Sequence, residues 1–209
     1  MQVNSVIIVG RSNQQPVLKT LFKVLFKLGG WKLHQPTPEQ SYNCVMVAAP
    51  HTSNWDFVYA ISAMDQLGLN PRFTIKKEFN VPPLGNMIRN LGAIWIDRSA
   101  TKKGGMTDFM VSLFRDCEEP LTVVVTPEGT RSPAKKWKTG FYYAALNAKV
   151  PICLSFMDYK NKITGIGTCF MPTGDLQKDM EHIMEFYSKT HPKFPEKFSL
   201  DERFLPNTK

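Results

Sequence analysis

Long apolar runs are missing from this chain of 209 residues. No uninterrupted stretch approaches the roughly 20 residues needed to span a bilayer, so any membrane contact is expected to be peripheral. The opening, MQVNSVIIVGRSNQQ, lacks the basic start and extended apolar core of a secretory signal. Cysteine is sparse. Cys44, Cys117, Cys153 and Cys169 show no Cys-x-x-Cys spacing, which excludes a metal finger. Three of them, Cys44, Cys117 and Cys153, sit among apolar neighbours, so reduced core thiols in a cytosolic protein are expected. No internal repeat is present. Acidic residues are outnumbered 18 to 26 by Lys and Arg, for a formal net charge of +8. That balance favours an anionic partner (nucleic acid, an anionic membrane surface or a phosphorylated substrate) without choosing among them.

What is present fits one globular domain with small appendages. The chain is organised around CVMVAAPHTSNWD. Cys44 to Ala49 reads as a buried strand ended by Pro50. His51 follows at once, and Asp56 stands where a helical pattern begins. On one continuous helix, five residues would turn the two side chains apart. They meet only if His51 lies in the turn and Asp56 in the first helical turn. Ser53 is the expected N-cap, with Asp56 at N3. From there a carboxylate can accept a hydrogen bond from one imidazole nitrogen and leave the other as a base. Ser53-x-x-Asp56 also reads as a plain capping box, which needs no catalytic role.

Val17 to Leu33 reads as a basic amphipathic helix. Leu18, Leu21, Phe22, Leu25 and Leu28 form its stripe, Lys19, Lys23 and Lys27 fall four apart, and Gly29-Gly30 ends it. The pattern suits an interfacial membrane helix and equally a helix packed on a core. His34 to Tyr42 is a polar linker. Further strands are expected at Arg72–Ile75, Ala93–Asp97, Leu121–Val125 and Pro151–Met157. The last of these makes a hairpin with Ile163–Phe170. Helices are expected after His51 and over Leu84–Leu91, Met106–Cys117, Phe141–Ala148 and Leu176–Lys189, before an irregular tail. Alternating strands and helices imply a layered α/β sheet. Polar clusters at His51, at Asp97-Arg98 and at Glu128 to Arg131 directly follow strands, where open α/β sheets bind ligands.

His51-x4-Asp56, Gly92-x4-Asp97-Arg98, Pro127-Glu128-Gly129-Thr130-Arg131 and Val150-Pro151-Ile152 occur in the order and spacing of the glycerolipid acyltransferase family. The resemblance spans about Cys44 to Phe156. Thr126, before Pro127, and Leu154, after the Val-Pro pair, depart from the family's usual residues. The resemblance implies a layered mixed α/β sheet with helices on both faces, carried by residues 35–209. Residues 1–34 form an N-terminal segment holding the amphipathic helix. It implies transfer of a fatty acyl group from an acyl thioester to a hydroxyl of a phospholipid precursor. His51 would be the general base, oriented by Asp56. Acceptor binding falls to Lys76, Arg98, Glu128, Gly129, Thr130 and Arg131. Here Arg98 and Arg131 would fork onto phosphate, and Glu128 would orient an arginine or a glycerol hydroxyl.

No metal or cofactor is expected, and acyl-CoA or acyl carrier protein is the co-substrate. The expected location is cytoplasmic, peripheral on the inner face of a membrane. Two other readings stand beside this one: a non-catalytic lipid- or anion-binding protein, and a hydrolase using water in place of the alcohol. Nucleic-acid binding rests on charge and on the Lys135-Lys136-Trp137-Lys138 run alone.

Overall fold

A computed structural model describes residues 16–76, 80–96 and 105–205. In chain order the first half contains α1 (Pro16–Leu28), β1 (Lys32–Leu33), β2 (Cys44–Ala48), α2 (Trp55–Gln66), β3 (Pro71–Lys76), α3 (Leu84–Asn90) and β4 (Ala93–Ile96). The second half contains α4 (Gly105–Asp116), β5 (Thr122–Val125), α5 (Gly140–Ala148), β6 (Ile152–Asp158), β7 (Ile163–Phe170) and α6 (Leu176–Ser188).

The strands form one sheet in the order β1-β7-β6-β2-β5-β3-β4. Neighbours are parallel except β6 and β7, which form the expected antiparallel hairpin. The sheet is therefore mixed. Its central strand, β2, has no exposed side chain from Cys44 to Val47. Val45 and Val47 face a cluster with Tyr142 of α5 and with Ile183 and Tyr187 of α6. Cys44 and Met46 face Met64 of α2 and the adjoining Leu67. Burial on both faces explains why this strand reads as an unbroken apolar run.

Two features position the strand ends. Gly92 has φ +106°, and a Cβ there would lie 2.1 Å from the carbonyl oxygen of Pro71. The turn into β4 thus closes on the start of β3 through a contact only glycine permits. On β6, the Ser155 hydroxyl donates to the Val47 carbonyl at 3.0 Å. The Tyr187 hydroxyl sits 2.9 Å from both the Val47 and Ser155 carbonyls, tying α6 to the end of β2 and the middle of β6.

The N-terminal helix α1 packs on α2. Phe22 and Phe26 are buried and meet Phe57 and Tyr59 edge-on at 6.5 and 6.4 Å. Each such burial stabilises the contact by about 1.5–3 kcal/mol. Lys19 and Lys23 converge on Asp65 at 2.9 and 2.6 Å. The opposite face of α1 leaves Val17, Leu21, Val24 and Leu28 exposed, at spacings of four, three and four. The apolar residues of this helix are therefore split between two faces. Among the described residues no helix is long and apolar enough to cross a membrane.

Several expectations change. Cys153 and Cys169 face each other across β6 and β7 and form a disulfide, so the thiols are not all reduced. Cross-strand register, invisible in their separation of 16 residues, brings them together. Cys44 and Cys117 are free. The helix ends before Gly29-Gly30 as expected, and Lys32–Leu33 beyond it forms the short edge strand β1. The C-terminal tail contains short 3₁₀ turns and packs inward through Asp201 and Phe204.

Candidate active site

Parallel pairing of β2, β5, β3 and β4 points their carboxyl ends at one edge of the sheet. The loop after β2 carries His51 and the loop after β5 carries Glu128 to Arg131. Because Val47 and Val125 are in register, the two loops leave the sheet side by side.

The turn after β2 is built around Asp56. Helix α2 starts at Trp55 after a cap at Asn54, so Asp56 is the second helical residue and not the third. Ser53 does not cap as expected; its hydroxyl accepts from the Trp55 amide at 3.2 Å. The Asp56 carboxylate is 6% exposed. Its Oδ2 accepts from the amides of Thr52 and Ser53, both at 2.8 Å, and lies 3.3 Å from His51 Nδ1. Its Oδ1 accepts from the Tyr159 hydroxyl at 2.6 Å. Burial pushes this carboxyl up, but the contacts from His51, Tyr159 and the Ser53 amide outweigh it and hold the group below its ordinary range. The residue is thus capping group and partner of the imidazole at once.

Glu128 is 4% exposed. Its Oε1 accepts from the backbone amide of His51 at 2.9 Å. Its Oε2 is buried with no hydrogen-bond partner. Burial pushes its carboxyl up to about 7; the His51 amide opposes this, and the nearby Asp56 charge adds to it. Besides the expected contact with an arginine or a glycerol hydroxyl, Glu128 thus grips the backbone of His51.

Gly129 has φ +69°, and a Cβ there would fall 2.9 Å from Cε and Nζ of Lys138. The Lys138 amide donates to the Pro127 carbonyl at 2.9 Å, closing the loop and laying the lysine across the glycine. Thr130 is exposed, and its hydroxyl accepts from the Ser132 amide at 3.2 Å.

One cavity, of about 540 Å³, joins these parts. Arg131, Lys138, Gly129, His51 and Asp56 line its polar portion. The apolar portion follows α2 past Phe57, Ala60, Ile61 and Met64 to Leu67. From Asp56 to Leu67 the helix rises roughly 16 Å, so the cavity extends well beneath the sheet edge. Glu128 and Thr130 are not among the residues lining it. Lys76 closes β3, but its side chain lies outside the described residues, as do Asp97 and Arg98.

Two residues at this site escape sequence reasoning. Lys138 is hidden in a basic run that also reads as a surface charge cluster. Tyr159 stands 103 positions from Asp56, and no local pattern signals that contact.

Comparisons with known proteins agree with this layout. A 1-acyl-sn-glycerol-3-phosphate acyltransferase from Escherichia coli (strain K12) is 31% identical over 140 residues, covering 63% of this chain. The match spans 55% of that relative's length. The crystal structure of the 1-acyl-sn-glycerophosphate (LPA) acyltransferase PlsC from Thermotoga maritima superposes with a TM-score of 0.57 at 19% identity. It covers 84% of this chain and 80% of that one, a likeness of fold. The family model described as Acyltransferase matches residues 31–154, a range holding β2 and its His51–Asp56 turn, β5 with the loop that follows it, and most of the residues that line the cavity. The chain belongs to the acyltransferase family.

Proposed function

We propose that the protein transfers a fatty acyl group from an acyl thioester, acyl-CoA or acyl carrier protein, to the free hydroxyl of a lysophospholipid or glycerol-phosphate acceptor. The reference acceptor is 1-acyl-sn-glycerol-3-phosphate, the substrate in the name of the Escherichia coli relative. One observation carries this reading: His51, 3.3 Å from Asp56, lines a cavity that is cationic at one end and apolar for the rest of its length. That combination suits a lipid with an anionic head.

His51 takes the acceptor's hydroxyl proton, and the oxygen attacks the thioester carbonyl. The carbonyl π electrons move onto oxygen, giving a tetrahedral oxyanion. Collapse breaks the C–S bond, and the departing thiolate takes the proton back from His51. Asp56 keeps the ring oriented and stabilises the imidazolium between the two transfers. No protein nucleophile is needed. Cys44 does not line the cavity, and burial pushes its thiol up to about 12. Arg131 and Lys138 hold the acceptor's phosphate, Arg131 through its fork and Lys138 as a point charge. The acyl chain lies along α2.

The acceptor lives in a bilayer, and the exposed stripe of α1 suits contact with an anionic membrane surface at the cytoplasmic face. Lys27 stands on the same helix, whereas Lys19 and Lys23 are engaged by Asp65. An apolar stripe flanked by lysine is the pattern of helices that lie in the interface.

The test incubates purified protein with palmitoyl-CoA or palmitoyl acyl carrier protein and 1-acyl-sn-glycerol-3-phosphate, with products identified by mass spectrometry. His51→Ala is expected to lose at least about a hundredfold in turnover. Free fatty acid without phospholipid would convert the reading to a hydrolase, and undiminished transfer by His51→Ala would eliminate the base.

A further inference from the structure

The dyad is anchored from a direction that the proposed reaction does not use. Tyr159 follows β6, in the turn into β7, on the far side of Asp56 from the imidazole. Its hydroxyl reaches Oδ1 at 2.6 Å while Oδ2 faces His51. The two carboxylate oxygens are therefore divided, one to the tyrosine and one to the histidine and two backbone amides.

The phenol is itself held on several sides. Its amide donates to the His191 carbonyl at 2.8 Å. The preceding Asp158 binds His191 Nδ1 at 2.9 Å, and the amide and side-chain nitrogen of Asn161, each also at 2.9 Å. The ring stands edge-on to Trp31 at 4.8 Å and to Tyr59 at 6.4 Å. The ammonium groups of Lys162 and Lys193 lie 5.6 and 5.9 Å from its centroid. A tyrosine that only filled space would not need its hydroxyl aimed at a buried carboxylate supplied with three other contacts. The titratable groups bearing on Asp56 are His51, Tyr159 and Glu128.

We infer that Tyr159 is a positioning residue of the acyl-transfer site: its hydroxyl clamps Asp56 so that Oδ2 stays on the imidazole side, and it draws off part of the carboxylate's charge. The inference rests on the proposed function for its kinetic consequence. Its structural consequence can be read without turnover. Without the clamp only the Thr52 and Ser53 amides fix the carboxylate about χ2, and the imidazole is oriented less firmly in the transition state. The substrate pockets, which Tyr159 does not line, are untouched. The loss therefore falls on kcat and not on KM.

Tyr159→Phe keeps the ring and removes the hydroxyl. The expected result is a kcat lowered by about tenfold, the scale of one hydrogen bond to a charged group, with KM for donor and acceptor within about twofold. The acid limb of the kcat/KM profile moves to higher pH, because a carboxylate relieved of the phenol proton attracts the imidazolium more strongly. 3-Fluorotyrosine at 159, a stronger donor, moves it the other way and serves if the phenylalanine variant folds poorly. In wild-type protein the downfield proton resonance of His51 Nδ1–H is expected to shift in both variants, whatever the catalytic outcome. An acid limb and a resonance that coincide with wild type would overturn the inference, as would a fall in kcat matched by the loss of folded protein. If wild-type protein makes no acylated product while the resonance shifts, the clamp stands and the proposed reaction fails.

Discussion

Glu128→Gln separates a grip on the backbone from a buried charge. In the folded protein, burial pushes the Glu128 carboxyl from its ordinary 4.5 up to about 7. Between those two values the folded protein keeps a proton that the unfolded chain has already released. Stability therefore falls as pH rises across that window and is level again above it. The gap, at about 1.4 kcal/mol for each pH unit, comes to about 3 kcal/mol. Glutamine can still accept from the His51 amide through its side-chain oxygen, so the 2.9 Å contact survives. Its amide nitrogen would take the place of Oε2, which has no partner, and would cost about 1–3 kcal/mol. That cost is the same at every pH and drops out of a difference between two pH values. Urea unfolding of both proteins at pH 4 and pH 8 should thus show the variant gaining about 3 kcal/mol on wild type between the two, whatever its offset. Parallel stability profiles would refute the reasoning and show that Glu128 finds a compensating partner in solution.

Four further perturbations test other parts of the structure. Gly92→Ala drives a methyl into the Pro71 carbonyl at 2.1 Å, where backbone on both sides has little room to give. It should cost more than about 4 kcal/mol, read as a collapse in soluble yield or urea midpoint. Ala60→Trp fills the cavity midway along α2. Activity across a series of acyl-CoA lengths should be kept for short chains and lost for long ones, while a uniform fall would place the acyl chain elsewhere. Leu21→Asp with Val24→Asp charges the outward stripe of α1 and should reduce sedimentation with anionic vesicles while leaving stability within about 0.5 kcal/mol per site. Phe22→Ala on the inward face should instead cost about 3–5 kcal/mol.

The parts of this molecule that could be read from the sequence are those encoded locally. The apolar run of β2, its stop at Pro50 and the placing of Asp56 in a first helical turn depend on neighbours within a dozen residues. So do the hairpin of β6 and β7 and the basic stripe of α1. That α1 has two apolar faces, one packed and one exposed, is not legible in a periodicity count, where leucine and phenylalanine look alike. The disulfide is a matter of register between strands. The grip of Glu128 on the His51 amide is hidden in the sequence for a related reason. A carboxylate in a loop rich in donors looks like a ligand-binding group until the adjacent loop is seen to offer it a backbone amide.

Chemistry and support are also divided along the chain. The matched family range ends at residue 154, and within it lie the imidazole, its carboxylate and the loop with Arg131 and Lys138. Part of what holds them lies beyond it. Tyr159 clamps Asp56, Tyr187 reaches the end of β2, and the Phe194 amide approaches the Thr52 hydroxyl at 3.4 Å. Asp201 accepts from the Trp137 amide at 2.7 Å, one residue before Lys138. Groups that touch a reacting molecule must keep their identity, so they form a recognisable pattern. Groups that only hold those residues in place can be replaced by any side chain that supplies a donor or fills the same volume. A motif can therefore report the reaction a site is built for while being silent on what keeps its geometry. In this protein the last third of the chain carries a share of that second task.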